Sequence, residues 1–284
     1  MSAAAPSSQR RRQRIDTALR LLALSLLVGL TIGPFLWLLS TSLKGAGENI
    51  QAFPPSLLPQ EPTLMNYVRV FESQPFGTYL ANSLLVAVIS VASNLLFASL
   101  AAYPLARIDF RGRGLVFGVL LATMMVPFQL LMIPVYELAL ALGLHNTTLG
   151  LVLPHACTAF GIFFMRQAFL SVPPALEEVA LIEGVSRLRI WWHVMLPLVR
   201  PTLATLAVFS FVGVWGDFLW PLIITDDPAH FTLPVGVNRL ANTFSMDWRL
   251  VAAGAIFSIL PILLVFTFSQ RFFIEGAMKG AVKG

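Results

Sequence analysis

Pro173-Pro-Ala-Leu-Glu-Glu-Val-Ala-Leu-Ile-Glu-Gly184 stands between long hydrophobic segments, yet it is too short to cross a membrane itself. A membrane span needs about 20 apolar residues, and prolines and Gly184 interrupt this region. Paired prolines are typical of a helix start, and the helix dipole favours carboxylates such as Glu177 and Glu178 in the first turn. Gly184 is a natural helix end, and Ser186 can cap a following helix. The pattern predicts a loop of two short helices.

These short helices are more apolar than a loop facing only water needs to be. The apolar residues are Leu176, Val179, Ala180, Leu181, Ile182, Leu188, Ile190, Trp191 and Trp192. An exposed patch of this kind usually marks a docking surface. The loop could instead fold back onto its own helix ends. We favour a pair of helices that inserts into a soluble partner.

The same stretch resembles a known family. Glu178-x-Ala180, then Gly184, then Val194-x-Leu196-Pro197 is similar to the loop of permease subunits in bacterial ABC importers. That loop reads Glu-Ala-Ala, three residues, Gly, nine residues and Ile-x-Leu-Pro. The chain departs from it at Val179, Glu183 and Val194, and keeps the turn and the charge. The resemblance implies an ATPase-coupling loop over 171–200 that contains Glu177, Glu178, Ala180, Leu181, Ile182, Gly184 and Pro197.

Composition indicates a membrane protein. Of 284 residues, 57% are hydrophobic and only 12% are charged, whereas soluble domains carry about 25% charged residues. Six apolar runs are long enough to cross a bilayer. They lie at about 17–43, 78–106, 114–139, 149–170, 201–225 and 250–274. We therefore predict an all-α polytopic membrane protein with six transmembrane helices, and the resemblance implies the type I ABC importer permease fold.

The basic residues predict the orientation. With the N-terminus inside, 15 of the 19 Lys and Arg residues fall in cytoplasmic segments, and only Lys44, Arg69, Arg239 and Arg249 fall outside. This positive-inside bias places both termini and the 171–200 loop in the cytoplasm. It also accounts for the net charge of +5 without nucleic acid as a partner.

Polar residues within the spans are candidates for a translocation path. They are Gln129, His155 and Asp217, with Trp215 beside the last. An intramembrane carboxylate is a functional candidate by default, and aromatic rings beside it suit a sugar. The alternatives are a hydrogen bond between helices for His155 and an interfacial aromatic belt around Asp217.

Further segments are similar to carbohydrate permeases of the maltose and glycerol-3-phosphate type. Residues 215–218 resemble a Trp-Asn-Glu/Asp-Phe stretch, with Gly216 in place of Asn, and Thr232-Leu-Pro-Val-Gly236 resembles part of the last outer loop. The terminal Gly-Ala-Val-Lys283-Gly284 resembles a tail that reaches the ATPase in relatives. The alternative for that tail is a disordered basic end.

No residue pattern for catalysis or metal binding was found. Each of the three lysines precedes a glycine, so the sequence has no phosphate-binding Gly-x-x-x-x-Gly-Lys-Ser/Thr loop, and the single Cys157 allows no intrachain disulfide. We therefore expect no catalytic residue, metal site or cofactor on this chain. ATP and Mg would be bound by partner ATPase subunits.

The organisation that follows is a cytoplasmic tail over 1–16, a first helix with an extracytoplasmic segment over 17–75, a core over 76–275 and a tail over 276–284. The resemblance implies an inner-membrane heterodimer with a second permease, an ATPase dimer and an extracytoplasmic solute-binding protein. The expected cargo is a neutral sugar, with glycerol-3-phosphate or another small solute as an alternative. An ion-coupled secondary transporter is the alternative class, and it would show internal repeats and paired midplane acids.

Overall fold

The computed structural model describes residues 7–50, 52–54, 56–241 and 247–281, with side chains described within 16–270. These ranges contain helices and no strand. The helices are α1 (Ser7–Ser42), α2 (Met65–Ser73), α3 (Phe76–Arg107), α4 (Arg113–Met124), α5 (Phe128–Ala141), α6 (Thr148–Val152), α7 (Ala159–Leu170), α8 (Pro174–Ile182), α9 (Arg187–Ile190), α10 (Leu196–Leu198), α11 (Arg200–Trp215), α12 (Leu219–Ile224), α13 (Leu233–Ala241) and α14 (Trp248–Ala281). A π-helical segment, Trp191–Met195, joins α9 to α10.

Three helices are long and apolar enough to cross a membrane unbroken. They are Asp16–Ser42 within α1, Phe76–Arg107 and Trp248–Gln270 within α14. A helix rises about 1.5 Å per residue, so each exceeds the roughly 30 Å of a hydrocarbon core. The predicted first, second and sixth spans correspond to these helices.

The predicted third and fourth spans are bent rather than straight. α4 and α5 meet at 99°, and Thr148–His155 meets α7 at 46°. The first bend has a local cause, because Pro127 disfavours a helical conformation at the residue before it. At the second bend, Thr158 starts α7 and its side chain accepts a hydrogen bond from Gly161 N at 3.0 Å. A third bent pair is Arg187–Leu198 with α11, and if each bent pair counts as one span the described residues hold up to six spans.

The predicted fifth span, 201–225, is also interrupted. α11 ends at Trp215, and α12 begins at Leu219 after a break over 216–218. α11 alone is about 24 Å long at 1.5 Å per residue. Its other end meets the helical stretch Arg187–Leu198 at 83°. That stretch belongs to the 171–200 loop.

The chain divides into two compact units. The first contains Met1–Ser73 and Leu240–Phe257. Within it, Asn66 Nδ2 donates to the carbonyl oxygens of Ser42 and Lys44, each at 2.9 Å. The buried Lys44 Nζ donates to the Ser56 carbonyl at 2.7 Å. The bonds of Asn66 tie the end of α1 to α2, and the bond of Lys44 ties the residues after α1 to the segment before α2.

The second unit contains Gln74–Arg239 and Ser258–Gly284, and it holds the 171–200 loop. One apolar core joins the last turns of α3 to α7, the loop helices and α11. A second core surrounds Trp220, which is 1% exposed, and draws on α3, α5 and α6. Ala156 and Val214, beside the breaks in the fourth and fifth spans, pack against the second core.

The helices extend beyond two of the predicted boundaries. α1 begins at Ser7, within the predicted tail over 1–16, because Gln, Arg and Ala are good helix formers. α14 continues to Ala281 through the predicted boundary at 276. Residues 240–257, placed in the predicted core, belong to the first unit.

Candidate functional site

The first helix of the 171–200 loop has well-defined ends. Pro173 occupies the position before α8 and Pro174 its first turn, as the sequence predicts. At the other end Gly184 has φ +77°, Val185 N donates to Ala180 O and Gly184 N donates to Leu181 O, both at 3.0 Å. This pair of bonds is the Schellman motif, in which the left-handed residue is usually glycine.

The outward face of α8 is apolar and exposed. Ile182 is 86% exposed, and Leu176, Val179 and Leu181 are exposed beside it. Glu178 is exposed on the same helix, and Ala180 is half-buried. This unit presents to its surroundings a short apolar helix with one carboxylate.

Glu177 behaves differently from its neighbour because it is buried. The Tyr103 O–H donates to Glu177 Oε1 at 2.5 Å, and Arg107 Nε lies 3.5 Å from Oε2. The side chains of Arg107 and Glu177 are 8% and 7% exposed. Arg187 Nη1 lies 3.7 Å from Oε1. Glu177, which the sequence groups with the coupling residues, thus holds α8 against the end of α3 and is not open to a partner.

Arg107 also holds the preceding turn. Its Nη2 donates to the carbonyl oxygens of Phe169, at 2.6 Å, and Val172. Arg107 therefore contacts the last turn of α7 and the start of the loop at once. A buried charge pair of this kind requires both partners, because either one left alone would be an uncompensated buried charge.

The second half of the loop leads into α11. Ser186 occupies the position before α9, but its side chain accepts no capping bond. Pro197 is half-buried in α10. Trp191 and Met195 lie in the apolar core, whereas Trp192 is 55% exposed.

His155 and Asp217 come together at the breaks of two spans. The His155 Nε2 N–H donates to Asp217 Oδ2 at 3.0 Å, and both side chains are partly buried. Asp217 Oδ1 also accepts from Trp220 N at 3.4 Å, at the start of α12. The helix-to-helix bond expected as the alternative for His155 is thus present.

The two other candidates for the path lie apart from this pair. Trp215 is buried, its ring stacks on Phe211, and its indole N–H donates to Ser258 O at 2.9 Å. It therefore does not flank Asp217 as an open sugar platform. Gln129 is exposed beside the bend at Pro127 and bonds to no other described side chain.

The chain resembles known transport proteins in sequence. A family model described as "Binding-protein-dependent transport system inner membrane component" matches residues 94–277. The chain belongs to this family. It is 37% identical over 246 residues to the arabinooligosaccharides transport system permease protein AraQ of Halalkalibacterium halodurans, covering 86% of each chain. It is 34% identical to the sulfoquinovosyl glycerol transport system permease protein SmoH of Agrobacterium fabrum, covering 94% of each.

A solved structure gives the same fold. A chain of a bacterial ABC transporter involved in the import of the acidic polysaccharide alginate superposes with a TM-score of 0.81 at 26% identity. The match covers 96% of this permease and 100% of that chain. The all-α type I ABC importer permease fold, expected from the resemblance, is thereby confirmed, as is a place in the inner membrane.

Three functional candidates of the permease were missed in the sequence. Tyr103 and Arg107 hold Glu177, and Asn94 links three spans: it donates to Ser210 Oγ and accepts from Thr158 N, each at 2.8 Å. The sequence does contain a signal for Asn94, because it is a polar residue within the apolar run 78–106. Polar side chains inside a span often form hydrogen bonds to another helix.

The predicted tail contacts and the predicted absence of a metal site remain to be placed. Lys283 and Gly284, the predicted tail contacts, lie beyond the described residues. Within the described ranges, no group of three or more His, Cys, Asp or Glu side chains could hold a metal ion.

Proposed function

We propose that this permease carries a sugar across the inner membrane, driven by a separate ATPase that binds the 171–200 loop. The observation that supports the coupling role is the exposed apolar face of α8, fixed at its base by the buried Glu177. The relatives named above transport oligosaccharides or glycosides, which supports a carbohydrate cargo.

α8 has the properties of a rigid lever. Proline starts it, a Schellman turn ends it, and the bonds of Glu177 join it to α3. We propose that Ile182 and Leu181 insert into a cleft of the ATPase while Glu178 makes the charged contact. Movement of the ATPase would then be passed to the spans through α3, between inward- and outward-facing states.

The translocation path would run past the broken spans. His155 and Asp217 bond to each other, and each can exchange that bond for one to a solute hydroxyl. Gln129 is a further candidate at the neighbouring bend. The runs 78–106, 114–139 and 201–225 contain no Lys or Arg, which favours a neutral solute as far as this subunit contributes.

The assembly we propose contains a second permease as a heterodimer partner, an ATPase dimer that binds ATP and Mg, and an extracytoplasmic solute-binding protein. The positive-inside bias of the sequence supports a cytoplasmic position for the loop and both termini. Lys283 and Gly284 would contact the ATPase. This chain itself would supply no catalytic group.

The test is uptake into vesicles that contain the reconstituted complex and its binding protein. Glu178→Ala and Gly184→Pro should sharply reduce ATP-dependent uptake. Gly184→Asn is the control, because Asn tolerates the left-handed conformation better than other residues. Uptake that runs on a proton gradient without ATP would contradict the importer and favour a secondary transporter. A panel of sugars tested against the binding protein would identify the cargo.

A further inference from the structure

The stretch Arg187–Leu198, which we call the surface helix, lies across the direction of the span that follows it. It is formed by α9, the π-helical segment and α10, and it meets α11 at 83°. α11 belongs to a membrane span, and such spans tilt on average about 20° from the bilayer normal, so a helix at 83° to it lies closer to the plane of the bilayer than to the normal. π-helical turns are rare and occur frequently at functional sites.

The two sides of the surface helix differ in chemistry. Ile190, Trp191 and Met195 are buried in the apolar core of the unit. The opposite side exposes Leu188 and Trp192, four residues apart, beside Arg189 and His193, also four apart. Residues at this spacing are neighbours on a helix. An apolar row therefore runs alongside a basic row.

A cavity of about 390 Å³ opens on this side, lined by Ser186, Leu188, Arg189, Trp191, Trp192 and His193. Its accessible polar side chains include the guanidinium of Arg189 and the hydroxyl of Ser186. The indole N–H of Trp191, a residue only 4% exposed, is buried without a hydrogen-bond partner among the described residues. No carboxylate of the described chain pairs with Arg189, whose carbonyl accepts from His193 Nδ1 at 3.1 Å.

We propose that this cavity binds the phosphate headgroup of an anionic phospholipid. The lipid would belong to the leaflet on the side of the membrane where the 171–200 loop lies. The guanidinium of Arg189 complements a phosphate with charged donors, and the hydroxyl of Ser186 lines the same cavity. Leu188 and Trp192 contact the first carbons of the acyl chains. Trp is enriched at this depth, and basic side chains near the surface attract anionic lipids.

The test uses the full complex in lipid nanodiscs made of brominated phosphatidylglycerol or brominated phosphatidylcholine. Bromine quenches nearby indoles, and the difference between wild type and Trp192→Phe isolates the emission of Trp192. We expect stronger quenching by the anionic lipid. The preference for the anionic lipid is the ratio of its binding to that of phosphatidylcholine, as obtained from the quenching. Arg189→Gln should reduce this ratio about fivefold, since each basic residue near the surface raises the affinity for anionic lipid by about that factor.

Arg111→Gln is the matched control, because Arg111 is exposed in the connection between α3 and α4 and does not line the cavity. It should leave the preference unchanged. The proposal would be overturned by equal quenching by both lipids or by an effect of Arg111→Gln as large as that of Arg189→Gln. Loss of the lipid preference on adding inorganic phosphate would also overturn it, as would shielding of Trp192 by the ATPase instead of by lipid. Transport is not needed for this measurement, so its result is independent of the proposed function.

Discussion

The phenolic O–H of Tyr103 donates a 2.5 Å hydrogen bond to Glu177 Oε1, and this bond joins the end of α3 to the first turn of α8. The two residues are 74 positions apart in the chain. Arg107, one turn after Tyr103, faces the other carboxylate oxygen. α8 is therefore held to α3 by a buried polar contact as well as by the apolar core that the loop shares with α3.

Removing either side of this contact should destabilise the permease. Glu177→Leu leaves Arg107 buried without its partner, which costs about 3–5 kcal/mol. Tyr103→Phe removes one bond to a charged group, worth about 2 kcal/mol. Thermal unfolding of the solubilised complex measures both effects.

The pair of variants Tyr103→Phe and Glu177→Gln allows a double-mutant cycle. We expect a coupling of about 0.5–3 kcal/mol between the two sites. Glu178→Gln is the control, since the exposed Glu178 should change the unfolding free energy by less than about 0.5 kcal/mol. If Glu177→Gln proved as harmless as Glu178→Gln, the buried contact would have no structural role.

Binding to the ATPase should depend on Ile182. A side chain of this size contributes about 1.5–3 kcal/mol when fully buried, so Ile182→Asp should weaken association about 10- to 100-fold. Folding should be unaffected because Ile182 is 86% exposed. Pull-down of the ATPase by the permease measures the loss.

Leu58→Asp is the matched control for this variant, because Leu58 is 78% exposed in the segment before α2. It should leave ATPase association unchanged. Equal binding by the Ile182→Asp and wild-type proteins would place the ATPase contact elsewhere.

The sequence predicts those features that arise from neighbouring residues. The start of α8 at Pro174 and its end at Gly184 follow from the fixed φ of proline and the left-handed freedom of glycine. The bend before α5 also has a local cause in Pro127, although the run 114–139 is predicted as one span. The helix-forming residues before Asp16 are a local signal too, and they continue α1 into the predicted tail over 1–16.

Features that depend on packing between distant segments could not be predicted. Glu177 and Glu178 are adjacent and chemically identical, and only the position of α3 decides that the first is buried. The bond between His155 and Asp217 joins residues 62 positions apart, at two breaks whose mutual placement the sequence does not reveal. Trp215 is buried for the same reason, since its partner is the backbone of α14.

Solute passage should depend on the carboxylate of Asp217. Asp217→Leu removes the acceptor for His155 and for a solute hydroxyl, and a lost hydrogen bond of about 1 to 1.5 kcal/mol corresponds to about a tenfold fall in uptake. Assembly with the ATPase should persist, because α8 lies elsewhere. Asp109→Leu is the control, as Asp109 is exposed between α3 and α4. Unchanged uptake in Asp217→Leu would remove this residue from the path.

The first unit should lose stability in acid through Glu48. Burial acts to raise the pKa of Glu48, but bonds from the backbone N–H groups of Gln60, Glu61 and Gly45, with the charge of Lys44, hold the pKa below its usual 4.5. A lowered pKa in the folded state means that Glu48 stabilises the unit above the unfolded-state pKa and ceases to do so as pH falls through the folded-state value. Hydrogen exchange at Gly45 and Glu61 should therefore speed up as pH falls below about 4.5, after correction for intrinsic rates. In Glu48→Gln the protection should be weaker at neutral pH and independent of pH over this range, and a pH dependence equal to that of the wild type would assign the effect to another carboxylate.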